Sequence, residues 1–236
     1  PRDWSSDVCS SDLVTSADAP GTTAAVSSRS PTHAPAHHVP AYHRCDCGAY
    51  HTYFKRINMQ TNTQAVFSAP CLTADCLSVG NATLTSTGMQ VSKDEKAWGV
   101  PDPVRLPDGR VRIYIVESPS LSSSCPEKVA SYISSDGISF TKEAGWRLEN
   151  GYVDTEVLRA KDGEWVMIMA DGPGCTSASG ARKVQQLYVS TSSDGLTWAK
   201  PQTLTGTDIG RLDPTEYEVS PNVFRIYYAA GGSDNT

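Results

Sequence analysis

Five carboxylates stand where acid–base chemistry would be sought first. Asp102 and Glu156 each lie six residues ahead of the aspartate of an Asp-Gly pair, Asp108-Gly109 and Asp162-Gly163. Asp154 stands two residues before Glu156, Asp213 opens an Asp-Pro pair as Asp102 does, and Asp46 is the early acidic candidate. Carboxyl groups brought together in different protonation states trade protons with a substrate. The competing reading is local, because an acidic residue at a strand start bonds nearby amides and shapes a turn. His33, His37, His38, His43 and His51 cluster around Cys45, Asp46 and Cys47. Their spacing matches no standard zinc pattern, so neither a metal nor any other cofactor is expected.

The elements that must position these groups are written in a repeat. Ser134-Ser135-Asp136-Gly137-Ile138-Ser139-Phe140 and Ser192-Ser193-Asp194-Gly195-Leu196-Thr197-Trp198 share Ser-Ser-Asp-Gly, two residues and an aromatic. Asp-Gly between two β-type runs signals a tight turn, since Gly adopts φ > 0 without a Cβ penalty. A worn copy runs from Ser86 through Gly88 to Asp94. The turn glycines fall at 88, 137 and 195, a period of about fifty residues, in the range of repeat architectures. Between them lies a strand–turn–strand module: Asp102–Leu106, Asp108-Gly109, Arg110–Val116, and again Glu156–Ala160, Asp162-Gly163, Glu164–Met169. A third copy, from Asp213 to Tyr228, has lost its Asp-Gly. Two modules make a unit of four antiparallel strands, A to D, which describes a β-propeller blade. The expected fold class is all-β, with about three and a half blades; an open β-solenoid or a sandwich is the competing architecture.

Taken in order, residues 3–13 resemble a translated sequencing adapter, and residues 1–13 are set aside from fold reasoning. On that reading the chain is a fragment from an assembled read set, and any signal peptide is lost with the 5′ end. Residues 14–45 have the Ala/Ser/Thr/Pro/His composition of a linker. Blades are expected at about 49–91, 98–146, 152–204 and 211–236, the last cut short. In the first, Ala49–Ile57 and Gln64–Ala69 read as strands, either A and B or B and C. There are 20 Lys and Arg against 26 Asp and Glu, and Arg2, Asp3, Asp7 and Asp12 fall in the excluded stretch. Mild acidity argues against nucleic acid as the main partner. No run approaches the roughly 20 apolar residues of a membrane helix. Six cysteines outside the excluded stretch fit an oxidising compartment, extracellular or periplasmic. Cys71 and Cys76 can close a small loop, and Cys125 and Cys175 fall in equivalent loops of successive blades. Sequence does not choose among the fifteen full pairings of six cysteines.

The Asp-Pro openings, Asp-Gly hairpins, Tyr-Tyr strand end and Ser-Ser-Asp-Gly turns resemble the five-bladed propeller glycoside hydrolases. These are family 43 and the arabinanase/levansucrase/invertase superfamily, and the resemblance covers about residues 82–230. The turns also resemble sialidase Asp-boxes, with a one-residue difference between Asp and Gly. A sialidase-like enzyme carries an Arg-Ile-Pro-type lead, whereas this sequence has Pro101-Asp102-Pro103, which counts against sialidase chemistry. The resemblance implies a monomeric enzyme acting on carbohydrate, with a base Asp, a pKa-modulating Asp and an acid Glu from successive blades. It casts Glu156 as acid and Asp102 as modulator, Asp46 as base, and Asp154 and Asp213 as further pocket carboxylates. Trp98 and Trp146, read as lying in the connections into strand A, are suited to stacking on sugar. A non-catalytic carbohydrate-binding propeller is the alternative.

Overall fold

Val111, Ile113 and Ile115 alternate with Arg112, Tyr114 and Val116, and both sets are buried. A strand buried on both faces must lie between two layers, which is where blade packing puts it. The computed structural model describes residues 41–44, 50–58, 63–73, 76–85, 96–118, 127–172, 184–204 and 210–231. Among them there is no helix. Three sheets have four antiparallel strands each: β1 (Ala41–Arg44) to β4 (Thr83–Leu84), β5 (Lys96–Arg105) to β8 (Thr141–Lys142), and β9 (Tyr152–Arg159) to β12 (Gln202–Thr203). A fourth pairs β13 (Gly210–Ser220) with β14 (Val223–Gly231). Each sheet is a meander in chain order, and the chain forms a partial β-propeller.

The first blade begins earlier than its composition suggests. β1 lies within the stretch that reads as linker, and its residues Ala41 to Arg44 pair with Tyr50 to Tyr53 of β2 (Tyr50–Asn58). The runs around Ala49–Ile57 and Gln64–Ala69 are therefore the second and third strands, β2 and β3 (Thr63–Pro70). Ala-Tyr-His-Arg has little signal of its own; its ladder is supplied by β2.

Three apolar clusters fill the spaces between blades. Tyr53 and Val66 meet Val111, Ile113, Ile115 and Phe140 between the first and second. Tyr114 and Val116 meet Trp165, Met167 and Met169 between the second and third. Leu158, Val166 and Ile168 meet Phe224 and Ile226 between the third and fourth.

The Ser-Ser-Asp-Gly turns are the same object twice. The first serine, Ser134 or Ser192, accepts from the glycine amide at 2.9 Å in both copies. Oδ1 of Asp136 accepts from the amides of Ile138 and Ser139, at 2.8 and 2.6 Å. Oδ1 of Asp194 does the same for Leu196 and Thr197, both at 2.7 Å. These amide donors hold the Asp136 carboxyl far below its usual range and bring Asp194 down to about 2. Gly137 and Gly195 sit at φ 73° and 70°.

Each turn is also gripped by the preceding blade. The Tyr53 hydroxyl donates to the Gly137 carbonyl, and the Tyr114 hydroxyl to the Gly195 carbonyl, both at 2.8 Å. The same tyrosines stand edge-on to the turn aromatics, Tyr53 to Phe140 and Tyr114 to Trp198, with centroids 6.0 Å apart in both. Tyr114→Phe removes a buried donor and leaves the ring in place. It is expected to lower unfolding free energy by about 1–2 kcal/mol, read as a reduced denaturation midpoint with unchanged slope.

Cys71 and Cys76 form the expected small-loop disulfide, with Cα atoms 4.8 Å apart. Cys125 and Cys175 lie outside the described residues.

Candidate active site

The innermost strand of each of the last three blades carries a bulge near its start. The ladder shifts between Trp98 and Asp102 in β5, between Val153 and Glu156 in β9, and between Leu212 and Thr215 in β13. Asp102, Glu156 and Thr215 are thus the first paired residues after equivalent bulges. Each also lies seven residues ahead of the left-handed residue of the next hairpin turn: Gly109 (φ 90°), Gly163 (φ 95°) and Asn222 (φ 60°). Asp102 and Glu156 therefore stand at one level in consecutive blades.

The level is built by contacts from each blade to the next. Asp102 is 2% exposed, and its Oδ2 accepts from the Val157 amide at 2.6 Å. That bond ties the second blade to the residue directly after Glu156. Glu156 is half-buried, and its Oε1 accepts from the Thr215 hydroxyl at 3.3 Å. Asp102 Oδ1 has no hydrogen-bond partner. Burial, then the neighbouring Glu156 charge, push the Asp102 carboxyl well above its usual range, against the pull of the Val157 amide.

A third carboxyl completes the group. Glu216 is 3% exposed with both oxygens unpartnered, and burial, then Glu156 and Asp102, drive its pKa well up. The three carboxyls lie in mutual electrostatic reach, and like-charge proximity added to burial favours the protonated forms of Asp102 and Glu216. No local sequence signal marks Glu216. The third module has no Asp-Gly, and its Asp213-Pro214 looks in sequence like the counterpart of Asp102-Pro103. Counting back from Asn222 finds Thr215 instead, with Glu216 beside it.

Asp213 occupies a different place from Asp102. It lies in the β13 bulge at φ 46°, as Asp154 lies in the β9 bulge at φ 51°. Both are left-handed residues, a conformation Asp tolerates better than most side chains. The Asp213 amide donates to the Asp154 carboxyl, whose pKa is raised to about 6 by burial first and then by the Asp213 charge. Lys55 of β2 faces Asp154; burial lowers its pKa and Asp154 opposes the shift. Among the described residues no group of three His, Cys, Asp or Glu side chains has the arrangement to hold a metal ion.

The remaining expected site residues fall elsewhere. Asp46 lies outside the described residues, between β1 and β2. Trp98 belongs to β5 itself, paired with Val116, rather than to a connection; the bulge that follows it lengthens the strand beyond what Asp102-Pro103 suggests. The Trp146 ring packs partly buried against the cluster between the first two blades. Lys142 Nζ lies 4.3 Å from its centroid, and Lys128 Nζ 5.3 Å. The position level with Asp102 on the first blade is also defined, because Tyr53 and Tyr114 grip successive turns in the same way. Asp102 pairs with Tyr114, and Ala41 pairs with Tyr53.

Solved structures of carbohydrate-active propeller enzymes share this fold. The chain superposes on B. megaterium levansucrase with a TM-score of 0.57 and 8% identity, over 79% of this chain and 59% of that one. A Penicillium chrysogenum α-L-arabinanase complexed with arabinobiose gives 0.54 and 12%, over 73% and 54%. The Bombyx mori GH32 β-fructofuranosidase gives 0.52 and 14%, over 84% and 49%. At these identities the likeness is one of fold, and it bears out the expected resemblance at that level. The chain spans about half to three-fifths of each of these enzymes. No protein-family model and no curated relative matches the chain. No helix among the described residues is long and apolar enough to cross a membrane.

Proposed function

We propose that the protein is a secreted glycoside hydrolase, acting on plant- or microbe-derived polysaccharide by carboxylate acid–base chemistry. The observation that carries this reading is the level pairing of Asp102 and Glu156 in consecutive blades, electrostatically coupled to each other and to Glu216. Glu156 is the least buried of the three, so it is the group that meets the glycosidic oxygen. It delivers its proton as the leaving oxygen departs, in the manner of a glycosidase acid. Asp102 is a positioning residue: through Val157 it holds the backbone beside Glu156. Asp154 and Asp213 rim the same region one step earlier on their strands. The base is Asp46 or a carboxylate outside the described residues. The Cys71–Cys76 disulfide supports an oxidising, extracellular or periplasmic setting.

Ala41 at the level of Asp102 supports a second reading, a propeller that binds carbohydrate without cleaving it. One pair of measurements separates the two. Nitrophenol release from aryl arabinofuranosides and xylosides is expected, alongside saturable binding of arabinan or xylan oligosaccharides. Binding without release at any pH at which the protein stays folded would favour the binding module. Neither binding nor release would remove both readings.

A further inference from the structure

The 236 residues contain one complete Asn-x-Ser/Thr triplet, Asn81-Ala82-Thr83. It lies on the outer rim of the first blade, because Thr83 opens β4, the last strand in the order β1-β2-β3-β4. The chain runs into it extended. Cys71 and Val79 form an antiparallel bridge, the Gly80 amide donates to the Pro70 carbonyl at 2.7 Å, and Thr83 pairs with Ser68 of β3. Val79, Asn81 and Thr83 are exposed, while Gly80 and Ala82 between them are half-buried. That alternation is the period of an extended chain, so Asn81 and Thr83 share one open side.

The loop before the triplet is closed tightly yet carries apolar surface. The Cys71–Cys76 disulfide staples it, and the Leu72 amide donates to the Ser78 carbonyl at 2.7 Å. Leu72 is 65% exposed, Leu77 82% and Val79 46%. Apolar side chains gathered in one stapled loop mark a surface that something covers. Val79 stands two residues from Asn81, on the same side of the chain.

We propose that Asn81 is an acceptor for N-linked glycosylation, and that its glycan lies over Leu72, Leu77 and Val79. Asn81 Nδ2 attacks the anomeric carbon of an oligosaccharide carried on a lipid pyrophosphate. An N–C bond forms, the C–O bond to pyrophosphate breaks, the amide gives up one proton, and the lipid pyrophosphate leaves. The modification takes exposed triplets of this type in exported proteins, and it is bulky and solubilising. The disulfide in the adjoining loop fits the same oxidising compartment. The glycan stands on the outer strand of its blade, whereas Asp102 and Glu156 lie on inner ones, so the axis stays open. The proposal shares only export with the proposed hydrolase, and its test does not depend on hydrolysis.

The full chain is directed into a yeast secretory pathway, and its mass is measured from medium and from cells, before and after peptide N-glycosidase F. The parent is expected to carry one glycan, lost on treatment. Thr83→Ser is expected to keep it, and Asn81→Gln and Thr83→Ala to lose it. A parent with the mass of the bare polypeptide would overturn the assignment, and so would a glycan that survives Thr83→Ala. Coverage is read separately, from the fluorescence of anilinonaphthalene sulfonate. Thr83→Ala is expected to bind more dye than Thr83→Ser, and adding Leu72→Ser and Leu77→Ser to both is expected to abolish the difference. Equal dye binding by the two Thr83 variants, or a difference that persists without the leucines, would overturn the covering role.

Discussion

Glu156→Gln is expected to lower kcat on aryl glycosides by about a hundredfold to about ten-thousandfold, the range over which a positioned acid contributes. The amide keeps the shape of the side chain and can still accept from the Thr215 hydroxyl, but it has no proton to deliver. KM is expected to stay within a few-fold of the parent, because ground-state binding does not require that proton. The deficit should shrink as the leaving group becomes more acidic, since a good leaving group departs without protonation. It should be largest for unactivated oligosaccharides. A Glu156→Gln protein that hydrolyses all of these at the parental rate would remove Glu156 from the acid role.

The second large effect is on stability, and it runs opposite to intuition about charge. Asp154 has its pKa raised to about 6 by burial and by Asp213. Below the ordinary carboxyl pKa the group is protonated in both folded and unfolded chains, and the shift has no effect. As pH rises through that value the unfolded chain ionises first, so the folded state is progressively disfavoured. The penalty is complete above about 6. At about 1.4 kcal/mol per unit the full effect is on the order of 2–3 kcal/mol. Asp154→Asn should therefore raise the unfolding midpoint on the alkaline side and leave it unchanged in acid. Asn accepts the Asp213 amide as Asp does, and it tolerates the left-handed backbone. Lys55 loses a counter-charge and trims the gain. Asp102 and Glu216 are raised in the same direction, so the parent itself should lose stability as pH climbs above the ordinary carboxyl range. A flat stability profile in the parent, or an Asn variant weakened equally at all pH values, would contradict this account. Carboxyls kept at such expense are characteristic of sites retained for function rather than for folding.

How much of this was legible in the sequence follows from the range of the interactions. The turns were written locally. Ser134, Asp136 and Gly137, and again Ser192, Asp194 and Gly195, close their bonds within three residues, so four letters suffice to specify them. The Asp108-Gly109 and Asp162-Gly163 hairpins are equally local, and with period-two alternation they made the blade, its antiparallel order and its repeat readable. The level pairing of Asp102 with Glu156 was readable too, because both are counted from those hairpins.

Other features belong to the tertiary structure alone. β1 exists because β2 pairs with it, and Ala41–Arg44 has too little pattern to declare itself. The bulges that put Asp154 and Asp213 in left-handed positions, and Thr215 rather than Asp213 at the level of Glu156, are register events between strands. No single strand records them. Glu216 is an ordinary exposed-type residue in sequence, and its burial beside Asp102 and Glu156 comes from three blades meeting at one place. The grip of Tyr53 on Gly137 and of Tyr114 on Gly195 spans 84 and 81 residues. Short-range hydrogen bonds and side-chain period determined the parts of this protein from sequence. Burial, register and electrostatic coupling depend on which blades come to stand beside each other, and only the folded chain decided them.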